Sequence, residues 1–369
     1  MIKIKATVPT LPDYETYIQE IKTIWNTGIL TNNGEKVNKF REMLSEYSKI
    51  KNLDLFVNGH SALLIALEAL SLQGEVITSP FTFVSTTNAI IANGLVPVFG
   101  DIDDSYNLNP ECVEELITEK TCAIVTPHIF GIPCNVEKLE QIAKKYNLKL
   151  IYDGAQAFGT KVNGKAIGCF GDITMFSFHA IKVFNSIEGG MLAYKDETLH
   201  KKFELYRNFG ISYSDVSNDV DVIGMNAKMN EFQAAMGIVN LMGLDFEIGK
   251  RKKLAESYCE CLRGVPGIET YSYCKDIEYN YAYFPVKVTE EYGMTRDELW
   301  EKLKEQGIGT RKLYDKLTCD FHCYKDRGYK RKTDYADKIK DMSIDLPLYG
   351  ALDEKNVFYI CEVIQSMRR

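Results

Sequence analysis

The stretch ITMFSFHAIKVFNSIEGGMLAY, residues 173–194, decides how this chain folds. It opens on the apolar run ITMFSF and closes on GMLAY, two short β-rich segments bounded by polar and glycine residues. Lys182 follows the first run, has Phe176, Phe178 and Phe184 as sequence neighbours, and precedes Glu188-Gly189-Gly190. An amine in apolar surroundings has its charged form disfavoured, which makes it a better nucleophile toward a carbonyl. A surface lysine beyond a strand end is the bland alternative, and composition alone favours it.

Runs of the same kind precede this stretch: LDLFV (53–57), EVITS (75–79), VPVF (96–99), CAIVTP (122–127) and LKLIYD (148–153). Helix-like segments lie between several of them: SALLIALEAL (61–70), the residues after Phe83, and VEKLEQIAKKY (136–146). Seven β-rich runs alternating with helices predict an α/β fold, a mostly parallel seven-stranded sheet with helices on both faces. After Tyr194 the character changes. DETLHKKFELYRNFG and NEFQAAMGIVNLMG read as helices, and FEIGKRKKLAESYCECLRG as a long charged helix. AYFPVKV, DELWEKLKEQG and NVFYICEVIQSM then predict a smaller α+β unit. Residues 1–246 are therefore expected to form a large α/β domain with an N-terminal helical segment, and residues 247–369 a small C-terminal domain.

The bulk numbers exclude several classes. The chain has 369 residues, 45% hydrophobic and 26% charged, an ordinary globular composition. A formal net charge of −7 leaves no basic surplus for nucleic acid. No apolar run reaches membrane-spanning length, and the opening residues lack a signal-peptide pattern, so a cytoplasmic protein is expected. The ten cysteines show no paired ligand spacing. Cys319, His322 and Cys323 lack a second pair to complete a tetrahedral site, so no metal is expected and the thiols are read as reduced.

Other residues can carry chemistry. Asp153 closes the run LKLIYD, where open α/β sheets bind ligands. It is either a turn aspartate or an acid able to pair with a protonated ring nitrogen. The sequence VNGHS (57–61) ends a strand, turns on Gly59 and places Ser61 at a helix start. Amides there form a phosphate cradle, or Ser61 is a plain cap. Phe83 sits beyond a strand end, where an aromatic face stacks on a planar heterocycle or packs in the core. His128 reads as a satisfied structural histidine. GAQAFGTK (154–161) has the wrong order for a P-loop, and no G-x-G-x-x-G occurs.

In this order (phosphate turn, aromatic, acid, amine) the sequence resembles the DegT–StrS group of nucleotide-sugar aminotransferases, which are fold type I pyridoxal-phosphate (PLP) enzymes. The resemblance runs nearly end to end, through TGILTNNGEKVNKFREMLSEY, VNGHSALLIALEAL, TPHIFGIPCNVEKL, YDGAQAFG, FSFHAIKVFNSIEGG and GMNAKMNEFQAAMG. It implies that Lys182 carries PLP as a Schiff base, that Asp153 binds the pyridine nitrogen and Gln156 the ring hydroxyl, and that Phe83 stacks on the ring. It further implies that Gly59, His60, Ser61 and Ser177 hold the phosphate, and that Asn226 reaches the cofactor of a neighbouring subunit in a homodimer with composite sites. His60 stands where threonine is common, Lys228 where arginine is common, and Gly154 after the acid. The related sugar dehydratases place histidine where Lys182 stands, so dehydration is disfavoured.

TNNGEKV and FNSIEGG are most similar to the branch that aminates nucleotide-linked 4-keto-6-deoxyhexoses, dTDP-4-keto-6-deoxyglucose above all, with L-glutamate as donor, for polysaccharide biosynthesis. The alternatives are a 3-keto sugar aminotransferase, a PLP enzyme acting on an amino acid without a sugar partner, and a non-enzymatic ligand-binding protein. The last requires loss of Lys182 or Asp153, and both are present.

Overall fold

All seven apolar runs enter one sheet. The computed structural model describes residues 2–212, 219–220 and 222–368. Across the sheet the strands run Leu53–Phe56, Gly190–Tyr194, Ile173–Ser177, Lys149–Asp153, Thr121–Pro127, Glu75–Thr78 and Val96–Phe99. Gly190–Tyr194 is antiparallel to both of its neighbours, and the remaining pairings are parallel. The exception follows from its connection: residues 178–189 hold no crossover helix, and a chain that returns without one must lie antiparallel.

Period-two side-chain alternation buries both faces. Leu150 and Tyr152 join one hydrophobic cluster and Ile151 the other; Phe176 goes with the first, Ile173 and Met175 with the second. Such double burial explains why these strands read as continuous apolar runs rather than as polar–apolar alternation. The helix Gly59–Ala69 covers one face with Ala62, Leu63 and Ala66, and the helix Glu35–Ser48 covers the other with Phe40 and Leu44.

The segment after Tyr194 is anchored by caps. Asn230 and Gln233 form a reciprocal capping box at the start of the helix Glu231–Met242. Next to it the buried Glu231 carboxylate accepts the Lys36 and Val37 N–H groups at 2.7 and 3.2 Å, capping a helix remote in sequence. Beyond the long helix Leu244–Cys261, three antiparallel strands (Ile268–Thr270, Phe284–Val288 and Ser343–Leu346) and the helices Arg296–Glu305 and Glu354–Ser366 enclose a separate core. Ile4, on the N-terminal side of the expected domain boundary, packs in this cluster and bridges to Ile308. Two of the three strands, Ile268–Thr270 and Ser343–Leu346, were not legible in the sequence, being too short to show alternation. Among the described residues no helix is long and apolar enough to cross a membrane, and no three potential ligands group as a metal site. All ten cysteines are free thiols.

Candidate active site

Leu53–Phe56 and Ile173–Ser177 are both antiparallel to the strand between them, so they run the same way, and so do the four parallel strands beyond. Phe56, Thr78, Phe99, Pro127, Asp153 and Ser177 therefore end on one edge of the sheet, where α/β proteins place their ligands.

Asp153 is the buried acid of that edge. Its Oδ2 accepts the Thr86 hydroxyl at 2.7 Å and its Oδ1 the Ala155 N–H at 3.0 Å. Burial pushes the carboxyl above the ordinary range, against the pull of these bonds and of the positive charges on Lys182 and His60. A desolvated carboxylate held by two donors is still short of charge compensation, and a cation beside it would supply that.

The phosphate turn forms by close approach. A Cβ on Gly59 would stand 2.8 Å from Ser177 Cβ, and one on Gly190 would stand 2.4 Å from Asn58 O, so only glycine lets the two strand ends meet. Asn58 caps the helix by accepting the Ser61 N–H at 2.8 Å. The cap is Asn58, not Ser61, which leaves the Ser61 hydroxyl uncommitted to that role. His60 Nδ1 lies 2.8 Å from Ser85 Oγ. Burial lowers the His60 pKa, opposed by the charge of Asp153.

Ser85 and Thr86 open the helix Val84–Ala92, whose cap residue is Phe83. Phe83 is 63% exposed, so its ring is not part of the core. Its turn meets His60 through Ser85 and Asp153 through Thr86.

Lys182, Ser177, Ala155 and Gln156 line one cavity with Asn280 and Tyr283. Of the three aromatic neighbours of Lys182 in sequence, one is also beside its cavity in space. Phe176 and Phe178 turn into the core, and only Phe184 of the three shares the cavity. The loop is held by Ser186 N–H to Phe178 O at 2.9 Å and by Asn185 Nδ2 to Thr10 O at 2.9 Å.

Gln156 is fixed at both ends. Its Oε1 accepts the Phe130 N–H at 2.6 Å, and its Nε2 donates to Tyr314 Oη at 2.5 Å. Asn226 stands apart from these groups. It is exposed, bridges to Asn208, and its Oδ1 accepts Lys228 Nζ at 2.9 Å. Within the single chain it makes no hydrogen bond to Lys182, Asp153 or Gln156 among the described residues.

His128 differs from the expectation of a satisfied histidine. Its Nδ1 accepts the Cys134 N–H at 3.0 Å and its ring stacks on Tyr152 at 4.5 Å, yet Nε2 has no partner. Packing against Tyr152 wins over the last hydrogen bond. Burial drops its pKa to about 3, so it stays neutral. Thr86, Asn58, Asn280 and Tyr314 were missed by sequence reasoning. Only the N-G turn hinted at Asn58, since asparagine is a strong helix cap.

The residues fit PLP by their chemistry: an amine, a desolvated carboxylate wanting a cation, and a glycine-tight turn of amides at a helix start. Comparison with known proteins agrees. Residues 13–365 match the DegT/DnrJ/EryC1/StrS aminotransferase family. The dTDP-4-amino-4,6-dideoxy-D-glucose transaminase of Shigella dysenteriae is 36% identical over 366 residues, covering 99% of each chain. The GDP-perosamine synthase of Escherichia coli O157:H7 is 31% identical over 341 residues, covering 91% of each. The solved structure of DesI in the presence of its TDP-sugar product superposes with a TM-score of 0.92 at 28% identity, covering 99% of this chain and 94% of that one. This chain belongs to the DegT/DnrJ/EryC1/StrS aminotransferase family and is a PLP-dependent sugar aminotransferase of nucleotide-sugar pathways.

Proposed function

We propose that the chain transfers the amino group of L-glutamate to the 4-keto carbon of a nucleotide-linked 4-keto-6-deoxyhexose, with dTDP-4-keto-6-deoxyglucose as the preferred acceptor. The observation that carries the chemistry is the amine of Lys182 and the desolvated acid of Asp153 on one strand edge. The choice of sugar is supported by the 36% identity to the Shigella dysenteriae transaminase.

Bound PLP supplies an electron sink at that edge. Asp153 would hold a proton on the ring nitrogen, and Gln156 Nε2 would serve the ring oxygen. Phe83 would cover one ring face. Gly59, His60, Ser61 and Ser177 would hold the phosphate through amide N–H groups and side chains. Lys182 Nζ takes the proton from the donor's α-carbon in the first half of the cycle and delivers one to the sugar carbon in the second. A single residue serves as base and acid.

Incubation with glutamate and a panel of 4-keto and 3-keto sugars linked to dTDP, UDP and GDP tests the reading, with products identified by mass and NMR. A 4-amino-4,6-dideoxy sugar on dTDP is expected as the main product. A main product aminated at the 3-position, or one on GDP alone, would overturn the assignment of the sugar.

The working unit in this reading is a homodimer in which Asn226 acts across the interface. Lys228 binds the Oδ1 atoms of both Asn208 and Asn226 at 2.9 Å, which turns the Asn226 NH2 outward as a donor. The surrounding segment exposes Phe209, Ile211 and Ile223. Losing one charge-assisted hydrogen bond in Asn226→Ala is expected to weaken cofactor binding by about 1.5–3 kcal/mol. Mixing inactive Lys182→Ala with a severely impaired Asn226 variant should restore part of the activity, because a heterodimer regains one intact site. No recovery despite proven subunit exchange would sink the interface role.

A further inference from the structure

Tyr314 comes from the C-terminal part of the chain and meets Gln156, a residue of the cavity wall, from behind. Three residues before it, Arg311 pairs with buried Asp345 of the strand Ser343–Leu346 at 2.9 Å, which ties the segment to the C-terminal core. The ring of Tyr314 lies edge-on to Phe81, with centroids 5.3 Å apart, and stacks on Phe130 at 6.3 Å. Its hydroxyl meets only one described partner, Gln156 Nε2.

The direction of that bond matters. Gln156 Oε1 is occupied by the Phe130 N–H, so the amide orientation is settled and Nε2 must face Tyr314. One Nε2 hydrogen goes to the phenol oxygen; the other has no hydrogen-bond partner among the described residues, and Gln156 itself lines the cavity. Burial pushes the phenol pKa up, so Tyr314 keeps its proton and stays a neutral acceptor for the amide. Rings on two sides hold it in place.

We propose that Tyr314 is a positioning residue: by holding one hydrogen of Gln156 Nε2, it aims the other at the ring oxygen of PLP and so tunes the protonation of the bound cofactor. The inference rests on the reading above that Gln156 faces that oxygen. A donor at the ring oxygen stabilises its anionic form, which carries more of the charge once the cofactor–lysine linkage has lost its proton. A well-aimed donor therefore lowers the pH at which that proton leaves, and a loosened one raises it.

The test uses the PLP-loaded protein and its variants Tyr314→Phe, Gln156→Leu and the double variant. Tyr314→Phe keeps the ring contacts, so thermal melting checks that the fold is retained. The measured quantities are the pH midpoint of the visible absorbance change and the dissociation constant of PLP. Tyr314→Phe is expected to raise the midpoint by about 0.5 unit or more, roughly threefold in proton affinity. It is also expected to weaken PLP binding several-fold and to lower kcat more than it changes KM. In the Gln156→Leu background the same substitution should add nothing, since its effect runs through Gln156. A Tyr314→Phe midpoint equal to wild type while Gln156→Leu shifts it would overturn this inference and leave the placing of Gln156 intact. An unmoved midpoint in Gln156→Leu would overturn both. Additive effects of the two substitutions would reduce Tyr314 to a packing residue and also overturn it.

Discussion

Borohydride treatment of the yellow PLP-loaded protein is expected to fix the cofactor covalently on Lys182 and on no other lysine. The expectation rests on place. Lys182 is the lysine of the cavity at the strand edge, shared with Ser177 and Gln156, and its positive charge acts on Asp153. Lys182→Ala should retain some PLP, because the turn at Gly59, the acid and the amide of Gln156 remain in place. Turnover should disappear, since the same amine both carries the cofactor and moves the proton, and no other group in the cavity combines the two roles. Peptide mapping of the reduced protein locates the adduct. An adduct on a different lysine, or a Lys182→Ala protein with measurable turnover, would remove the central residue from the mechanism.

The second large effect is at Asp153. Asp153→Asn keeps one oxygen, which can accept the Ala155 N–H, and sets an NH2 against the Thr86 hydroxyl, which can turn to accept it; the negative charge is given up. Without it the ring nitrogen loses its proton and the electron sink weakens, a loss of several kcal/mol in the transition state, about a thousandfold or more in rate. Stability of the cofactor-free protein should move the other way. Burial raises the folded-state pKa of this carboxyl above its unfolded value. Its ionisation therefore costs stability, from none well below the ordinary carboxylate pKa to the full amount above the raised folded pKa. At neutral pH the asparagine variant escapes that cost. Its cofactor-free melting temperature is expected to equal or exceed that of wild type, with the gap closing as pH falls through the carboxylate range. Activity within tenfold of wild type would mean that the acid of the site lies elsewhere. A melting temperature well below wild type at neutral pH would mean that the charge stabilises the fold instead of straining it.

Stability and function pull apart at this position for the reason that makes the site work. A carboxylate in water would stabilise a protonated ring only weakly. Held at the end of an inner strand it is short of compensation until a cation arrives.

The local pattern was enough for the seven central strands, because each is a short apolar run whose burial on both faces needs no knowledge of its partners. It was enough to expect Lys182, Asp153 and Gly59 near one edge of the sheet, since each lies at or within a few residues of a strand end, and parallel strands put such ends on one edge. The wide, mostly parallel sheet followed from the alternation with helices. Strand order did not. Leu53–Phe56 lies beside Gly190–Tyr194, and Ile277–Glu278 pairs with Lys161–Val162, choices made by packing summed over the whole chain. Which aromatic residues surround Lys182 was decided the same way: Phe184 shares its cavity, as the sequence suggests, whereas Phe176 and Phe178 turn into the core. The finer parts of the site belong wholly to tertiary structure. Thr86 meets Asp153 across 67 positions and Tyr314 meets Gln156 across 158. A hydroxyl carries no periodic signal of its partner, so contacts of that separation come into being only when the two cores have packed and brought their loops to one edge.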